Sequence, residues 1–298
     1  MKKLLYVVLM VVAGVGLVQA KDAGSTSAQF LSIQPGARAN GMGEIGVSLV
    51  DDASAMYWNP AGLADAKLAE ISFSHMIYFQ SLNHDFAVFC QPMGRLGTLA
   101  VSGIALYSGA ITKTTEDTAG NFLAEDGTFN TMESAISLGY GTKIMQNCAF
   151  GVNFKSIRQR IGDVSASGFA SDVGLKYGVS DAIGAGLAVQ NIGSAIKGDN
   201  LPTNIKTGLH VKQFKNTIIG LEANLPMTSS MSYGAGVEHV LMNMVAIRAG
   251  YNTRADTNEL TGLHCGLGFM IRALTIDYAF VPYGDIGMSH IISVGMKY

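Results

Sequence analysis

The residues that could carry out enzymatic chemistry are scattered along this sequence and form no catalytic or metal-binding pattern. The six histidines stand singly, and the Gly-x-Ser-x-Gly motif of serine hydrolases does not occur. Residues 41–46 read Gly-Met-Gly-Glu-Ile-Gly and match the glycine pattern of dinucleotide-binding proteins, but no apolar strand precedes them. Cys90, Cys148 and Cys265 lie far apart, without the spacing of a zinc site or of a disulfide framework. We therefore expect no catalytic residue, metal site or cofactor, and we expect that the protein is not an enzyme.

The composition is unusually apolar for a soluble protein. Of the 298 residues, 48% are hydrophobic and only 14% are charged, against about 25% charged residues in an ordinary soluble domain. The 20 Lys and Arg residues nearly balance the 22 Asp and Glu residues, and no basic patch of the kind that binds nucleic acids is present. The composition therefore disfavours a cytosolic enzyme, and we expect no nucleic-acid partner.

Residues 1–20 have the features of a signal peptide. Lys2 and Lys3 precede an apolar run from Leu4 to Val18, and Val18 and Ala20 stand at the two positions that a signal peptidase reads. We predict cleavage after Ala20 and export of the remaining chain. No later apolar run reaches the roughly 18 residues of a membrane-spanning helix, so any crossing of a membrane must use shorter segments.

From Leu68 onward, apolar residues alternate with small or polar ones. We count fourteen such segments of about 8 to 13 residues. In one of the clearest segments, the apolar Ile219, Leu221 and Ala223 occupy alternate positions. The small or polar Gly220, Glu222 and Asn224 occupy the positions between them. Alternation with period two indicates β-strands that have one apolar face.

The apolar faces of these strands fit lipid better than a protein core. A soluble β-sandwich also alternates, but its outer face needs far more charged residues than this chain contains. The segment lengths match the ~9 to 11 residues with which a tilted strand crosses a bilayer. The sequence therefore predicts an all-β fold, a transmembrane antiparallel β-barrel of about 14 strands formed by residues 67–298.

The predicted barrel has charged residues in its lumen. The alternation that turns apolar residues to lipid turns Glu222, Glu238, Arg248 and Asp277 inward. A barrel of this size is wider than the filled eight-stranded barrels, so its lumen needs a filler. Glycines on the inward face suit such a filler, because they allow another backbone to approach closely.

The connections between the segments alternate between short and long, as they do in outer-membrane barrels. The longer ones include residues 108–131, which we predict to be the largest loop, and residues 160–167. The chain finishes on Tyr298 at a lipid-facing position, which resembles the C-terminal end by which the barrel-assembly machinery recognises such barrels. We therefore predict location in a bacterial outer membrane, with its lipid and the assembly machinery as partners.

Residues 21–66 precede the first strand and contain a series of motif residues. The series consists of Gly36, Arg38, Met42, Gly43, Asp51, Asp52, Trp58, Asn59, Pro60, Ala61 and Gly62. It resembles the PorV/PorQ family of outer-membrane proteins, relatives of the FadL fatty-acid transporters, in which these residues form an N-terminal hatch. The resemblance implies that residues 21–66 form a hatch inside the lumen.

Two kinds of local structure are expected within this segment. Asn59, Pro60 and Gly62 have turn chemistry, since proline fixes φ and glycine tolerates a positive φ. Asp51 or Asp52 is expected to cap a short helix over residues 53–57.

Arg38 is the residue of this segment most in need of a partner. A guanidinium inside a barrel must find carboxylates, and several of the lumenal charges named above are carboxylates. We therefore expect an ion pair between the hatch and the barrel wall.

Two functions remain open at this stage. The resemblance to PorV implies a docking or scaffold barrel in protein secretion or cell-surface assembly, with secreted proteins or secretion-system components as partners. The resemblance to FadL implies transport of hydrophobic small molecules such as long-chain fatty acids. Transport would require apolar residues that face inward, and the candidates are Met76, Tyr78, Leu106 and Ile291.

Overall fold

The computed structural model describes residues 26–78, 82–254, 262–284 and 287–298. The predicted signal peptide, residues 1–20 with its cleavage position after Ala20, lies outside these residues. None of the helices in the described part of the chain is long and apolar enough to cross a bilayer.

In the described part of the chain, fourteen strands close into one antiparallel barrel. The barrel strands are β1 (Glu70–Ile77), β2 (Asn83–Pro92), β3 (Thr98–Tyr107), β6 (Thr131–Met145), β7 (Cys148–Ile161), β8 (Val164–Gly178), β9 (Ile183–Gly193), β10 (Asn204–Phe214), β11 (Thr217–Pro226), β12 (Ser232–Leu241), β13 (Val245–Asn252), β14 (Leu263–Ile271), β15 (Leu274–Pro282) and β16 (Met288–Lys297). They follow one another in chain order, β3 pairs directly with β6, and β1 closes the ring against β16. The prediction of an all-β barrel with about 14 strands is confirmed.

The two ends of the barrel differ in their connections. One end, which we call the terminal end, carries the C-terminus and short turns such as residues 242–244 and 272–273. The Tyr298 N–H donates to the Ala69 carbonyl there. The opposite end, which we call the loop end, carries longer connections, such as residues 194–203 and 108–130. Tyr298 is exposed on the outer face and stacks on Phe89.

Apolar and charged residues of the strands lie on opposite faces. On β11, Leu221 is 56% exposed on the outer face, whereas its neighbour Glu222 is 6% exposed inside the barrel. The inward-facing Glu238, Arg248 and Asp277 are buried as well.

Two expectations about the connections need correction. Residues 108–131 contain a separate two-stranded sheet of β4 (Ile111–Glu116) and β5 (Phe122–Phe129) outside the barrel. Residues 160–167, predicted to be a loop, are mostly strand, because β7 runs to Ile161 and β8 begins at Val164. Only two residues separate these strands, so the ladder of backbone hydrogen bonds continues where the apolar alternation has stopped.

The N-terminal segment, residues 26–66, consists of short helices that contact the inward face of the barrel. It contains 3₁₀ helices at Gln29–Ser32 and Pro60–Asp65, and the α-helices α1 (Ala37–Gly41) and α2 (Ala55–Trp58). Most of its residues are buried. At the loop end, the Ser27 N–H donates to the Asn200 carbonyl, and near the terminal end Asp65 pairs with Lys176.

Candidate functional site

Glycines on the inward face of the wall meet the backbone of the N-terminal segment. A Cβ added to Gly151 on β7 would overlap the backbone at Pro60, and one added to Gly236 on β12 would overlap the carbonyl of Met42. No side chain fits at either position, because backbone rather than a flexible side chain occupies the space. These glycines therefore let the N-terminal segment pack directly against the wall.

The residues around Met42 also bond to the wall through the backbone. Met42 is buried, and Gly43 has a φ of 79°, a conformation that favours glycine. The Gly43 carbonyl accepts a hydrogen bond from the Asn252 amide at 3.0 Å. Glu222, one of the predicted lumenal charges, accepts the N–H groups of Gly46 and Val47 at 2.7 and 2.9 Å.

Asn59 and Pro60 begin a 3₁₀ helix instead of forming an open turn. The Asn59 side chain accepts the N–H of Ala61 at 3.1 Å and donates to the Val47 carbonyl at 2.7 Å. Gly62 does not have the positive φ that we expected. It is needed for space, because a Cβ there would lie 2.6 Å from the Val50 carbonyl oxygen.

The predicted helix cap is also different from the expectation. Helix α2 begins at Ala55, two residues later than predicted, and Ser54 at its N-cap makes no capping hydrogen bond. Asp52 accepts the Ser54 N–H at 2.8 Å, so its carboxylate orders the turn before the helix. Asp51 lies near Arg38; burial opposes ionisation of Asp51, but Arg38 and nearby lysines hold its pKa below the ordinary value.

Arg38 binds a carboxylate of the barrel wall. Its guanidinium donates to both oxygens of Glu238, at 3.0 and 2.9 Å, and lies 3.2 Å from Asp51. Glu238 is also bound by Arg248 at 2.7 Å, and Arg248 continues to Asp277 at 2.7 Å. These residues form one chain of alternating charges, which satisfies the hydrogen-bonding groups of each member.

Trp58 is fully buried inside the barrel. Its indole N–H donates to the Pro35 carbonyl at 3.2 Å, and its ring packs on Gly46, where a Cβ would overlap it. The ammonium of Lys206 lies 4.3 Å from the centre of this ring, a distance that favours a cation–π interaction. The neighbouring Tyr57 donates to the Leu31 carbonyl, and burial raises the pKa of its hydroxyl, so the hydroxyl stays protonated.

Two buried lysines of the barrel wall were not among the predicted lumenal charges. Lys155 on β7 pairs with Asp172 at 2.8 Å and with Asn191 at 2.7 Å. Lys206 on β10 lies 4.0 Å from Glu222. The signal was present, because both lysines occupy inward positions in alternating segments.

The loop-end half of the lumen is lined by apolar side chains. Among the predicted inward-facing residues, Met76 and Ile291 are buried in one apolar cluster, against which the partly buried Tyr78 packs. The partly buried Leu106 packs against a second cluster. The N-terminal segment contributes Ile33 to the cluster around Met76. Further apolar wall residues in these clusters are Phe86, Val88, Ile104, Ile157 and Val281.

The terminal-end half of the lumen contains open space. A cavity of about 480 Å³ is lined by Trp58, Phe86 and charged residues that include Lys212 and Lys297. Gly36 and Ala37 form part of the boundary of this cavity on the side of the loop end. Gly36 precedes α1, and Ala37 is the first residue of α1.

Two serines of adjacent strands hold this boundary. The Gly36 N–H donates to the Ser74 hydroxyl at 3.2 Å, and the Ala37 N–H donates to the Ser293 hydroxyl at 2.9 Å. Gly36 has a φ of 92°, so the backbone bends there before the helix. Ala37 also belongs to the apolar cluster around Met76, and therefore separates the apolar half of the lumen from the cavity.

No group of three or more His, Cys, Asp or Glu residues within the described part of the chain is arranged to hold a metal ion.

Comparison with solved structures defines the class of barrel. The toluene transporter TodX of Pseudomonas putida matches with a TM-score of 0.66 and 11% identity over 94% of this chain and 99% of that chain. The toluene transporter TbuX of Ralstonia pickettii matches with a TM-score of 0.64 and 13% identity, over 88% and 98%. A FadL homologue of Pseudomonas aeruginosa gives a TM-score of 0.56 at 11% identity, over 88% and 97%. The fold is therefore that of a FadL-like barrel.

The family is shown by sequence. The chain belongs to the uncharacterised protein family UPF0164, whose model matches residues 7–281. Comparison with curated proteins gives no match. The narrower resemblance to the PorV/PorQ family stays a prediction.

Proposed function

We propose that this protein is an outer-membrane channel for hydrophobic small molecules. The observation that carries the proposal is the apolar lining of the loop-end half of the lumen. A barrel that only displayed its loops would have no need of buried Met76 and Ile291 on its inner wall. Apolar pockets are the usual binding surfaces for hydrophobic ligands.

The proposed route runs from the loop end to the terminal end. A ligand enters among the apolar side chains and reaches the boundary at Gly36 and Ala37. Movement of this boundary away from Ser74 and Ser293 connects the apolar half with the cavity of about 480 Å³ below it. The N-terminal segment acts in this proposal as the hatch that controls passage.

The structural neighbours support transport over secretion. TodX and TbuX are toluene transporters, and both share the barrel fold with this chain. A transport channel also agrees with the expectation that the protein is not an enzyme. We propose the outer membrane as its location, residues 1–20 as the signal peptide, and Tyr298 as part of the end recognised during barrel assembly.

Uptake of a labelled hydrocarbon tests the proposal. Cells of a Gram-negative host that lacks its own hydrocarbon channel would express the parent protein, Met76→Asp or Met76→Leu, and take up radiolabelled toluene. The parent should accelerate uptake, and Met76→Leu should match it. A buried carboxylate in an apolar route is costly, so Met76→Asp should lower uptake at least tenfold. Parent cells that take up toluene no faster than cells without the protein would refute the proposal.

A docking role is the second candidate, and one observation favours it. The β4–β5 sheet projects beyond the barrel and exposes Phe122 and Leu123. Deletion of residues 110–130 separates the two functions, because a channel should keep its toluene uptake whereas a docking barrel should lose its bound partner.

A further inference from the structure

We propose that His84 contacts the ligand, and that the preferred ligand is a hydrophobic molecule carrying one neutral hydroxyl group. The inference rests on the proposed function and specifies its substrate class. It starts from an inward-facing polar residue in an otherwise apolar region.

His84 is buried on the inner face of β2. It is 1% exposed, and it shares the inward face of this strand with Phe86, Val88 and Cys90. Its Nε2 atom has no hydrogen-bond partner among the described residues. Buried polar atoms in native proteins are nearly always paired, so an unpaired one requires an explanation.

The surroundings of His84 are apolar on both sides. It lies opposite Met76 on β1 and opposite Leu106 on β3. Met76 packs with Ile33, and Leu106 packs against the cluster that contains Phe30, so both neighbours belong to the proposed route.

A second unpaired polar atom lies on the same wall. The hydroxyl of Ser289 on β16 is fully buried and has no partner among the described residues. Ser289 lies opposite Val281, which packs in the cluster around Met76. Two unpaired polar atoms along one apolar wall point to a ligand that is mainly apolar and carries a small polar group.

The chemistry of His84 selects a neutral group. The adjacent Asp85 faces the outside of the barrel, where it binds His75 at 2.6 Å and Tyr107 at 3.0 Å. Among the residues that the structure describes, no carboxylate bonds to His84, and a charged imidazole in this apolar region would be costly.

A hydroxyl matches this imidazole better than other neutral groups do. In neutral histidine, Nε2 is a donor in one tautomer and an acceptor in the other. A hydroxyl group donates and accepts, so it can bond to either tautomer. A carbonyl only accepts, and a hydrocarbon leaves Nε2 unpaired.

Equilibrium dialysis of the purified full-length protein in detergent tests the inference. The two probes are radiolabelled benzyl alcohol and toluene, which differ by one hydroxyl group. The variants are His84→Leu, which removes the polar group, and His84→Gln, which keeps a donor and an acceptor. For each protein, the measurement is the ratio of the affinity for benzyl alcohol to the affinity for toluene.

We expect this ratio in the parent to exceed the ratio of octanol–water partition coefficients of the two probes. In His84→Leu the ratio should fall about tenfold, the size of one hydrogen bond, while toluene affinity stays within about threefold. His84→Gln should retain most of the preference.

Three outcomes would overturn the inference. The first is an affinity ratio in the parent protein that equals the octanol–water partition ratio. This outcome needs no variant, so the inference can be overturned even if His84→Leu does not fold. An unchanged ratio in folded His84→Leu that still binds toluene refutes the role of His84 and leaves the channel proposal intact. Absence of binding of both probes to the parent refutes the channel proposal and this inference together.

Discussion

Replacement of Arg38 by Ala should loosen the N-terminal segment at a defined contact. Arg38 donates two hydrogen bonds to Glu238, and a hydrogen bond to a charged group contributes about 1.5 to 3 kcal/mol. Breaking a buried ion pair costs about 3 to 5 kcal/mol when one charge is left without a partner. Glu238 keeps Arg248 at 2.7 Å, so it is not left unpaired in the variant. The half-exposed Asp51 adds little.

We therefore expect a loss of about 2 kcal/mol in the docking of the segment, within the range for a hydrogen bond to a charged group and below the cost of stranding a buried charge. This loss corresponds to an increase of about 30-fold in the undocked population. The barrel should remain folded, because its own backbone hydrogen bonds close it.

Two measurements check this magnitude. Amide hydrogen exchange in α1 should accelerate about 30-fold, and purified protein in planar bilayers should open more often by a similar factor. Arg158→Ala is the matched control, because Arg158 is exposed on the outer face of β7 and its removal changes the net charge equally. If a folded Arg38→Ala protein has the same amide exchange and the same conductance as the parent, the Arg38–Glu238 pair does not hold the segment.

Arg248→Ala tests the cost of removing the cation of a buried ion pair within the barrel wall. Arg248 lies 2.7 Å from Asp277, so its removal leaves a buried carboxylate without its cation. The expected cost is about 3 to 5 kcal/mol, larger than for Arg38→Ala. Denaturant unfolding of the two variants should give this order, and the reverse order would contradict the argument.

Further predictions concern the two faces of the wall. In the proposed membrane location, Leu221→Arg should impair assembly by roughly 2 to 4 kcal/mol, because it puts a charge on the apolar outer surface, whereas Leu221→Ile should not; the folded band on an unboiled gel reports the outcome. Gly151→Val should displace the N-terminal segment and shift the fluorescence of Trp58, the single tryptophan of the chain, to longer wavelength. Gly103→Val is its control, since an added Cβ there meets open space. Equal spectra of the two glycine variants would argue against direct packing of the segment on the wall.

Alternation of residue types was sufficient to predict the barrel and the facing of its strands. A strand with one lipid-facing side has its register fixed by a period of two, so Leu221 and Glu222 could be assigned to opposite faces. The same rule failed near Arg160 and Ser165, where strands continue beyond the apolar belt. Side chains there need not be apolar, so the sequence pattern stops while backbone pairing goes on.

Details of the lumen could not be predicted from periodicity. The N-terminal segment has no regular period, so its path, and hence the choice of Glu238 by Arg38, depends on tertiary packing. Gly62 was assigned to a turn because glycine often has a positive φ, but close approach of the Val50 backbone is what requires it. The environment of Lys206 depends on Trp58, which is distant in sequence.

The position of the N-terminal segment constrains the order of assembly. Ser27 bonds to Asn200 at the loop end, while Tyr298 bonds to Ala69 at the terminal end, so these two residues lie at opposite ends of the barrel. The seam between β1 and β16 leaves no lateral gap for later insertion. The chain must therefore be threaded lengthwise, or the seam must seal around it last. In the proposed outer-membrane channel, a folded protein fused ahead of residue 26 should arrest threading, whereas a short flexible epitope there should pass and be displayed on the cell exterior.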